Sequence, residues 1–492
     1  MSDTASNLNA FQRCSTTKKM LTLVGIYVCT VFSIMQSSGV SMVLPMAAAE
    51  FDLAAGINIA AGEIGPATSL YSLAASLAGP VGLVLMPIWG YLAARSPHLR
   101  IPLLAFSVLM GAVALLTRAL ATNIFIVIAT GALYGFVSAG VFVIGFMLIK
   151  DMFPAQKIGI YMGLIGTMMA IGSLASPVIT GMVIAFFDWR AACHMLWPFF
   201  LVGALLFFFG ANIKKEDGKE LVFVSGKIDL AGIVAATIFL ATLICGISFG
   251  STFIPFGTMQ SFACFGVSLV SLVVLIFIVM KKGAGAVIPL PALKNRNTVS
   301  FSLANFIMNF ANMFVFFFLP AYIMNVMQPT DFGLDPAAWA GLVMACFAVF
   351  GLFLGPIFGN MISKSGSART VLLLGAVARL LFLVCMIFFL TPGFSIFILM
   401  GLALVLGGVY SVMTTAFTTG VAIMTPDTIR QQSNAVVQMG QNLGGALGIA
   451  VGGIIVASFG FVAGMPIAFV VAAIAVIIMF VPIALLKKRQ QG

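Results

Sequence analysis

Long apolar runs, separated by short polar or charged segments, follow one another along the whole chain. A helix of roughly 20 apolar residues is long enough to cross the hydrocarbon core of a bilayer. Reading these runs between charge clusters and Pro or Gly breaks predicts fourteen membrane helices. In chain order they are 21–48, 65–93, 101–121, 123–149, 158–187, 191–212, 230–252, 258–280, 298–325, 337–362, 370–391, 394–422, 433–457 and 461–486. The predicted fold class is an all-α polytopic membrane protein.

The composition excludes most other classes of protein. Hydrophobic residues make up 62% of the 492 residues, and charged residues only 8%. Soluble domains carry roughly 25% charged residues. A soluble enzyme, a disordered chain and a nucleic-acid binder are therefore excluded, despite the net charge of +11.

The positions of the positive charges test the helix count. If the N-terminus is cytoplasmic, all of the 24 Lys and Arg residues except Arg118, Arg190 and Arg379 fall in cytoplasmic segments. A miscounted helix would invert this pattern from that point onward. We therefore expect fourteen helices in a cell membrane, inner or plasma, with residues 1–20 and 487–492 as cytoplasmic tails. The net positive charge then faces an anionic lipid surface.

No constellation of catalytic or metal-binding residues is present in the sequence. The seven cysteines form no Cys-x-x-Cys pair, and most of them lie in apolar runs. There is no nucleotide-binding Walker motif. The sequence therefore predicts neither an enzyme nor a cofactor, metal site or direct use of ATP.

An internal repeat divides the chain into two parts. Residues 82–100 and 351–369 align at an offset of 269, and both follow an apolar run. The identical pairs are Gly82/Gly351, Leu83/Leu352, Leu85/Leu354, Pro87/Pro356, Ile88/Ile357, Gly90/Gly359, Ser96/Ser365 and Arg100/Arg369. Two halves in the same orientation are a transporter architecture, in which the substrate binds between them near the middle of the bilayer.

These residues resemble the loop between helices 2 and 3 of the major facilitator superfamily. Two further stretches, SSGVSMVLP at 37–45 and NLGGALGIA at 442–450, resemble its fourteen-helix drug:proton antiporter branch. The helix 5 segment from Gly172 through Pro177 to Gly181 resembles the superfamily's antiporter motif. The DWR sequence at 188–190 also fits that branch.

The resemblance implies a domain organisation and a mechanism. It implies six-helix halves at 21–212 and 298–486, a cytoplasmic loop at 213–229, and two extra helices at 230–282. The halves would rock about a central site to alternate access in a monomer. The residues assigned to this gating are Gly90, Arg95, Arg100, Gly359, Lys364, Arg369, Gly172 and Pro177. We expect Gly90 and Gly359 to lie at tight helix contacts.

Several charged positions of the family pattern are uncharged in this chain. Ala94 and Ser363 occupy the loop position of the family's Asp, Gly131 that of its helix 4 Arg, and Gln36 that of its helix 1 Asp. None of the thirteen Asp and Glu residues falls at predicted membrane depth. A buried acid is the usual group for binding a lipophilic cation, so its absence argues against cationic drugs as substrates.

Buried amides are the main candidates for contact with the substrate. Asn305, Asn309 and Asn312 share a face of predicted helix 9, and Asn434, Gln438 and Gln441 repeat that spacing on predicted helix 13. Gln36 lies near the middle of predicted helix 1. The alternative is that these amides only bond one helix to another. Tyr71, Tyr134, Tyr410, Thr414 and Thr418 are further candidates.

Two arginines fall at or near membrane depth. Arg379 lies close to the middle of predicted helix 11, where an anionic substrate could compensate its charge. The alternative is that Arg379 caps a carbonyl or contacts a lipid headgroup. We expect Arg118, near the end of predicted helix 3, to extend towards the membrane surface.

The sequence as a whole predicts a secondary active transporter. Its substrate would be a small organic molecule that is neutral or anionic, with carboxylates included. The alternative is a multidrug:proton antiporter. If a proton is coupled, it either travels on the substrate's own carboxylate or is relayed by an acid such as Glu50, Asp52 or Glu63.

Overall fold

Every regular element of the described residues is a helix. The computed structural model describes residues 9–57, 65–153, 155–214, 216, 229–248, 257–283, 290–391, 393–407, 409–426 and 429–487. Eleven helices of this part of the chain are long and apolar enough to cross a membrane. The structure thus confirms an all-helical chain with many apolar spans, and the count of fourteen is not confirmed by it.

The helices α1 to α9 follow the first part of the predicted pattern. They are α1 (Ala10–Arg13), α2 (Thr16–Ala54), α3 (Pro66–Ser76), α4 (Ala78–Arg95), α5 (Arg100–Ala119), α6 (Ile124–Ala139), α7 (Gly145–Met152), α8 (Ala155–Phe186) and α9 (Trp189–Phe208). The narrow gap predicted between helices 3 and 4 is confirmed, because the side chain of Asn123 accepts a hydrogen bond from the Ile126 N–H and so begins α6.

The helices α10 to α19 follow the rest of the pattern. They are α10 (Leu230–Ser248), α11 (Met259–Lys282), α12 (Leu290–Lys294), α13 (Arg296–Phe316), α14 (Phe318–Tyr322), α15 (Pro336–Ser365), α16 (Arg369–Phe389), α17 (Ile396–Leu402), α18 (Val409–Met424) and α19 (Arg430–Ala484). A π-helical turn, Gly140–Ile144, joins α6 to α7, and another, Ala403–Gly407, follows α17.

The pair α10 and α11 is held together at one end by a carboxylate. Asp229 precedes α10 and accepts a hydrogen bond from the Gly232 N–H at 2.8 Å. The same carboxylate binds the Nζ of Lys282, at the end of α11, at 2.7 Å. One acid therefore both caps the first helix and pairs with the last turn of the second.

The chain divides into two compact units. Unit 1 consists of residues 1–38, 81–176 and 190–228, and unit 2 of residues 39–80, 177–189 and 229–492. The helices α2, α4, α8 and α9 each contribute residues to both units. Unit 2 holds α10 to α19, and with them the cluster of amides predicted on helices 9 and 13.

Candidate functional site

A polar cleft lies in unit 2 between α13, α18 and α19. It contains about 210 Å³ of space, including space open to solvent. The residues that line it are Asn305, Thr414, Phe417, Thr418, Asn434, Val437, Gln438 and Gln441. Six of these eight, all but Phe417 and Val437, are polar residues that the sequence singles out.

Helical spacing explains how the polar side chains meet. Thr414 and Thr418 are four residues apart on α18, and Asn434, Gln438 and Gln441 follow the i, i+4, i+7 spacing on α19. Each set therefore covers one helix face. Asn434, in the second turn of α19, and Thr418, in the second half of α18, are exposed. The cleft is thus accessible where α18 ends and α19 begins.

The cleft is polar without being charged. None of its eight lining residues in the described part of the chain carries a charge. Amides and hydroxyls offer both hydrogen-bond donors and acceptors, and the buried Phe417 adds an apolar wall. This combination offers the hydrogen-bonding groups and the apolar surface that sites for neutral organic molecules use.

Asn305 and Asn309 form a bonded pair on α13. The Nδ2 of Asn309 donates to the Oδ1 and the main-chain oxygen of Asn305, each at 2.9 Å. The Nδ2 of Asn305 donates to the Val437 oxygen on α19 at 3.2 Å. Asn305 therefore joins two helices and also lines the cleft. Asn309 and Asn312 lie further along the same face and are not among the lining residues.

Arg379 does not line this cleft. It lies in α16 and is only 2% exposed. Its guanidinium is 5.3 Å from the centre of the Phe382 ring, a cation–π distance. Tyr410 lies in α18, and its side chain is outside the described residues. The structure therefore brings Asn305, Gln438 and Gln441 together but places Arg379 apart from them.

Two candidates of unit 1, Gln36 and Tyr134, are buried. Gln36, in α2, is 5% exposed. The hydroxyl of Tyr134, in α6, donates to the Ser33 oxygen at 2.8 Å and lies 3.1 Å from the Ser33 Oγ. The Tyr134 hydroxyl thus already serves a contact between α6 and α2.

Arg118 contradicts the expectation that it extends to the membrane surface. Its side chain is buried, with 2% exposure. The Nε donates to the Thr130 Oγ1 at 2.9 Å, across from α5 to α6. A neutral hydroxyl on a neighbouring helix holds this guanidinium, and sequence alone offered no signal for that partner.

The equivalent arginines of the two repeat copies differ in burial and in their partners. Arg100 is fully buried in an ion pair with Asp151, and its Nε donates to the Ala93 oxygen at 2.8 Å. Arg369 is exposed. At the repeat offset, the second half has Gly420 in place of Asp151, and a Cβ on Gly420 would lie 2.7 Å from the Phe301 ring. Asp151 is a residue that sequence reasoning assigned no role.

Four other residues that the family resemblance assigns to gating are Arg95, Lys364, Gly90 and Gly359. Arg95 and Lys364 are exposed. A Cβ on Gly90 would lie 3.5 Å from Val143, an ordinary contact, so the expected tight contact there is wrong. A Cβ on Gly359 would lie 3.3 Å from the Thr415 methyl group.

Two glycines of unit 1 make the close contacts that Gly90 does not make. A Cβ on Gly172 would lie 2.7 Å from the main-chain oxygen of Val31. A Cβ on Gly82, the first residue of the repeat, would overlap the Ser138 side chain. In unit 2, the main-chain oxygen of Pro177 packs against Gly341 of α15.

The acids near the end of α2 are occupied by structural contacts. The Asp52 carboxylate accepts the N–H groups of Ala67 and Thr68 at 2.9 and 2.7 Å and thereby caps α3. Glu50 accepts from the Trp189 Nε1 at 2.6 Å. Glu63 lies outside the described residues. Asp52 and Glu50 therefore anchor the starts of α3 and α9.

A substitution within the cleft tests whether its amides contact substrate. Gln441→Leu is expected to weaken binding by about 1–2 kcal/mol, the scale of a hydrogen bond lost in a buried site. The melting temperature should stay close to that of the wild type, because the Gln441 side chain is only half-buried. Binding of the most stabilising compound from a screen of organic acids and amides gives the measurement. Wild-type affinity together with a lowered melting temperature would instead support a role in helix packing.

Comparison with known proteins places the chain among membrane transporters. The profile of the Major Facilitator Superfamily matches residues 26–326 and 301–491. The chain is 26% identical over 318 residues to the efflux pump dotC of Dothistroma septosporum, a match that covers 63% of this chain and 50% of that protein. It is 23% identical over 250 residues to multidrug resistance protein 3 of Bacillus subtilis, covering 50% and 46%.

The chain is also similar to a third relative and to a solved structure. The MFS-type efflux transporter pyiT of Pyricularia grisea is 24% identical over 252 residues, which cover 51% of this chain and 41% of that protein. The chain thus spans half or less of these relatives' length. The structure of a peptide transporter, POT, in complex with sulfate is similar in fold, with a TM-score of 0.64, 16% identity and 98% coverage of both chains.

Proposed function

Because the chain belongs to the Major Facilitator Superfamily, we propose that it is a fourteen-helix secondary active transporter of a small organic solute. The family match and the transporter relatives support a transporter and not an enzyme. The proposed mechanism alternates access by rocking one six-helix half against the other, with α10 and α11 as the extra pair.

Helix lengths support the count of fourteen. Beyond the eleven candidate spans, α8 has 32 residues and α15 has 30, each long enough to cross a bilayer. The 55 residues of α19 would extend roughly 80 Å if straight, about twice the thickness of a membrane. Its backbone leaves the helical region at Gly460, where φ is 71° and ψ is 175°. Dividing α19 there yields two spans and brings the total to fourteen.

The uncharged polar cleft is the observation on which the solute class rests. Amides, hydroxyls and one aromatic ring suit an organic molecule that enters in a neutral form. An organic acid would enter with its own proton, because an uncompensated carboxylate is costly to bury in such a site. The proton would then be coupled through the substrate, since Asp52 and Glu50 hold helix ends. The proposed location is the cell membrane, with both termini cytoplasmic.

A multidrug:proton antiporter is the second candidate. The names of two relatives, multidrug resistance protein 3 and efflux pump dotC, support it. Against it, no acid lines the described cleft to attract a lipophilic cation. The two candidates differ in the charge of the solute, which an experiment can separate.

Flux into liposomes tests the proposed function. Under an imposed pH gradient, we expect the purified protein to move organic acids or neutral amides from a labelled panel, and not to exchange ethidium for protons. Protein-free liposomes correct for passive permeation, and Gln441→Leu should reduce the protein-dependent flux. Ethidium–proton exchange with no response to any acid or amide would favour the multidrug antiporter.

A further inference from the structure

Asn312 is a buried carboxamide that no group of the described residues satisfies. It lies in α13 with 1% of its surface exposed. Neither its Nδ2 nor its Oδ1 has a hydrogen-bond partner among the described residues. Buried polar side chains are normally bonded, and an unsatisfied amide is costlier still where hydrocarbon replaces water. Such a side chain indicates a partner outside the described residues, which a bound solute can supply.

Asn312 lies on the same helix face as a residue that lines the cleft. Asn305, Asn309 and Asn312 share one face of α13, and Asn305 lines the cleft. Asn312 lies about 10 Å further along the helix axis. Between them, the Asn309 amide is bonded to Asn305. The three residues therefore form a polar strip that starts at the cleft and ends at the one unsatisfied amide of the three.

We propose that Asn312 is the inner end of the solute site and binds a single uncharged group that both donates and accepts hydrogen bonds. A primary carboxamide or an un-ionised carboxylic acid has this chemistry. Either can pair with the Asn312 amide through two hydrogen bonds, one in each direction. A carboxylate only accepts hydrogen bonds, and a quaternary ammonium neither donates nor accepts them. This inference rests on the proposed transport function and narrows its substrate class.

Two matched leucine substitutions separate a ligand contact from a packing contact. Asn312→Leu removes two unsatisfied polar atoms and breaks no hydrogen bond within the described residues, so its melting temperature should equal or exceed that of the wild type. Asn309→Leu removes the donor to Asn305 and should melt at a lower temperature. Thermal unfolding in detergent gives both values. An Asn312→Leu protein that melts as low as Asn309→Leu would overturn the proposal.

Four small probes test the chemistry directly. Benzamide both donates and accepts, N,N-dimethylbenzamide and benzoate only accept, and benzyltrimethylammonium does neither. Benzamide should stabilise the wild type at about tenfold lower concentration than the other three, as expected for hydrogen bonds lost in a buried site. In Asn312→Leu, benzamide and N,N-dimethylbenzamide should act alike.

Two results with these probes would overturn the assignment. One is equal stabilisation of the wild type by benzamide and N,N-dimethylbenzamide. The other is a preference for benzamide that survives in Asn312→Leu. Liposome flux is measured independently of both. If the protein transports organic acids or amides but Asn312→Leu changes neither the flux nor the response to the probes, this inference is refuted and the proposed function stands.

Discussion

Asp151→Leu is expected to lower the free energy of unfolding by about 3–5 kcal/mol, because it leaves the fully buried Arg100 without its carboxylate. Two further contacts of Arg100 are weaker than this ion pair. The Ala93 oxygen accepts one hydrogen bond, and the Phe11 ring lies 5.7 Å from the guanidinium carbon. Neither neutralises the charge. Chemical or thermal unfolding of the purified protein in detergent measures the loss.

The repeat supplies a matched control for this substitution. Arg369 occupies the same place in the second copy and is exposed, so Arg369→Met should change the free energy of unfolding by less than about 0.5 kcal/mol. The double variant Arg100→Met with Asp151→Leu should recover most of the loss, because an apolar pair can replace a buried ion pair at little cost. Strictly additive effects of the two single variants would show that the ion pair is not the source of the stability.

The two copies of the repeat differ in a way that comparison of their sequences does not reveal. The identity of Arg100 and Arg369 predicts equivalent roles, yet one is paired and buried while the other is exposed. The difference lies in the residue at the repeat offset in the neighbouring helix, which is Asp151 in one half and Gly420 in the other. In the second half, the Phe301 ring packs on Gly420 where the first half has a carboxylate. That exchange of charge for packing is visible only once distant segments are brought together.

Helix positions were predictable because they depend on local apolar length. The gap between α5 and α6 follows from Asn123, whose side chain caps the second helix. The break at Gly460 falls between the predicted helices 433–457 and 461–486, although α19 continues on both sides of it. Glycine permits the positive φ found there at little steric cost. Local chemistry of this kind is readable from sequence.

The candidate site was predictable in its polar faces and not in its contacts. Spacing placed Gln438 and Gln441 on one face, and the structure brings both to a cleft with Asn305. Spacing does not reveal which buried groups find protein partners. Thus Arg118 bonds to Thr130 on the next helix, while Asn312, on the same face as Asn309, is left without a bond in the described residues. Those outcomes depend on tertiary packing.

Gly444→Ala is expected to lower the free energy of unfolding by about 1–3 kcal/mol through overpacking. A Cβ at this position of α19 would overlap the main-chain oxygen of Phe306 in α13. Gly440 and Gly448, one turn away on either side, face the main-chain oxygens of Ser302 and Phe310 in the same way. A backbone oxygen held in a helix cannot turn aside as a side chain can, so the two helices must separate.

Open glycines provide the control with the opposite sign. Nothing lies within 4 Å of a Cβ built on Gly266 in α11, where alanine should instead stabilise the helix by up to about 1 kcal/mol.

The separation of α13 from α19 in Gly444→Ala would also pull Asn305 away from Gln441, since these two helices carry opposite walls of the cleft. Gly444→Ala should therefore weaken binding of the screened solute as well as lower the melting temperature. Loss of stability with unchanged affinity would mean that the solute binds elsewhere than between these two helices.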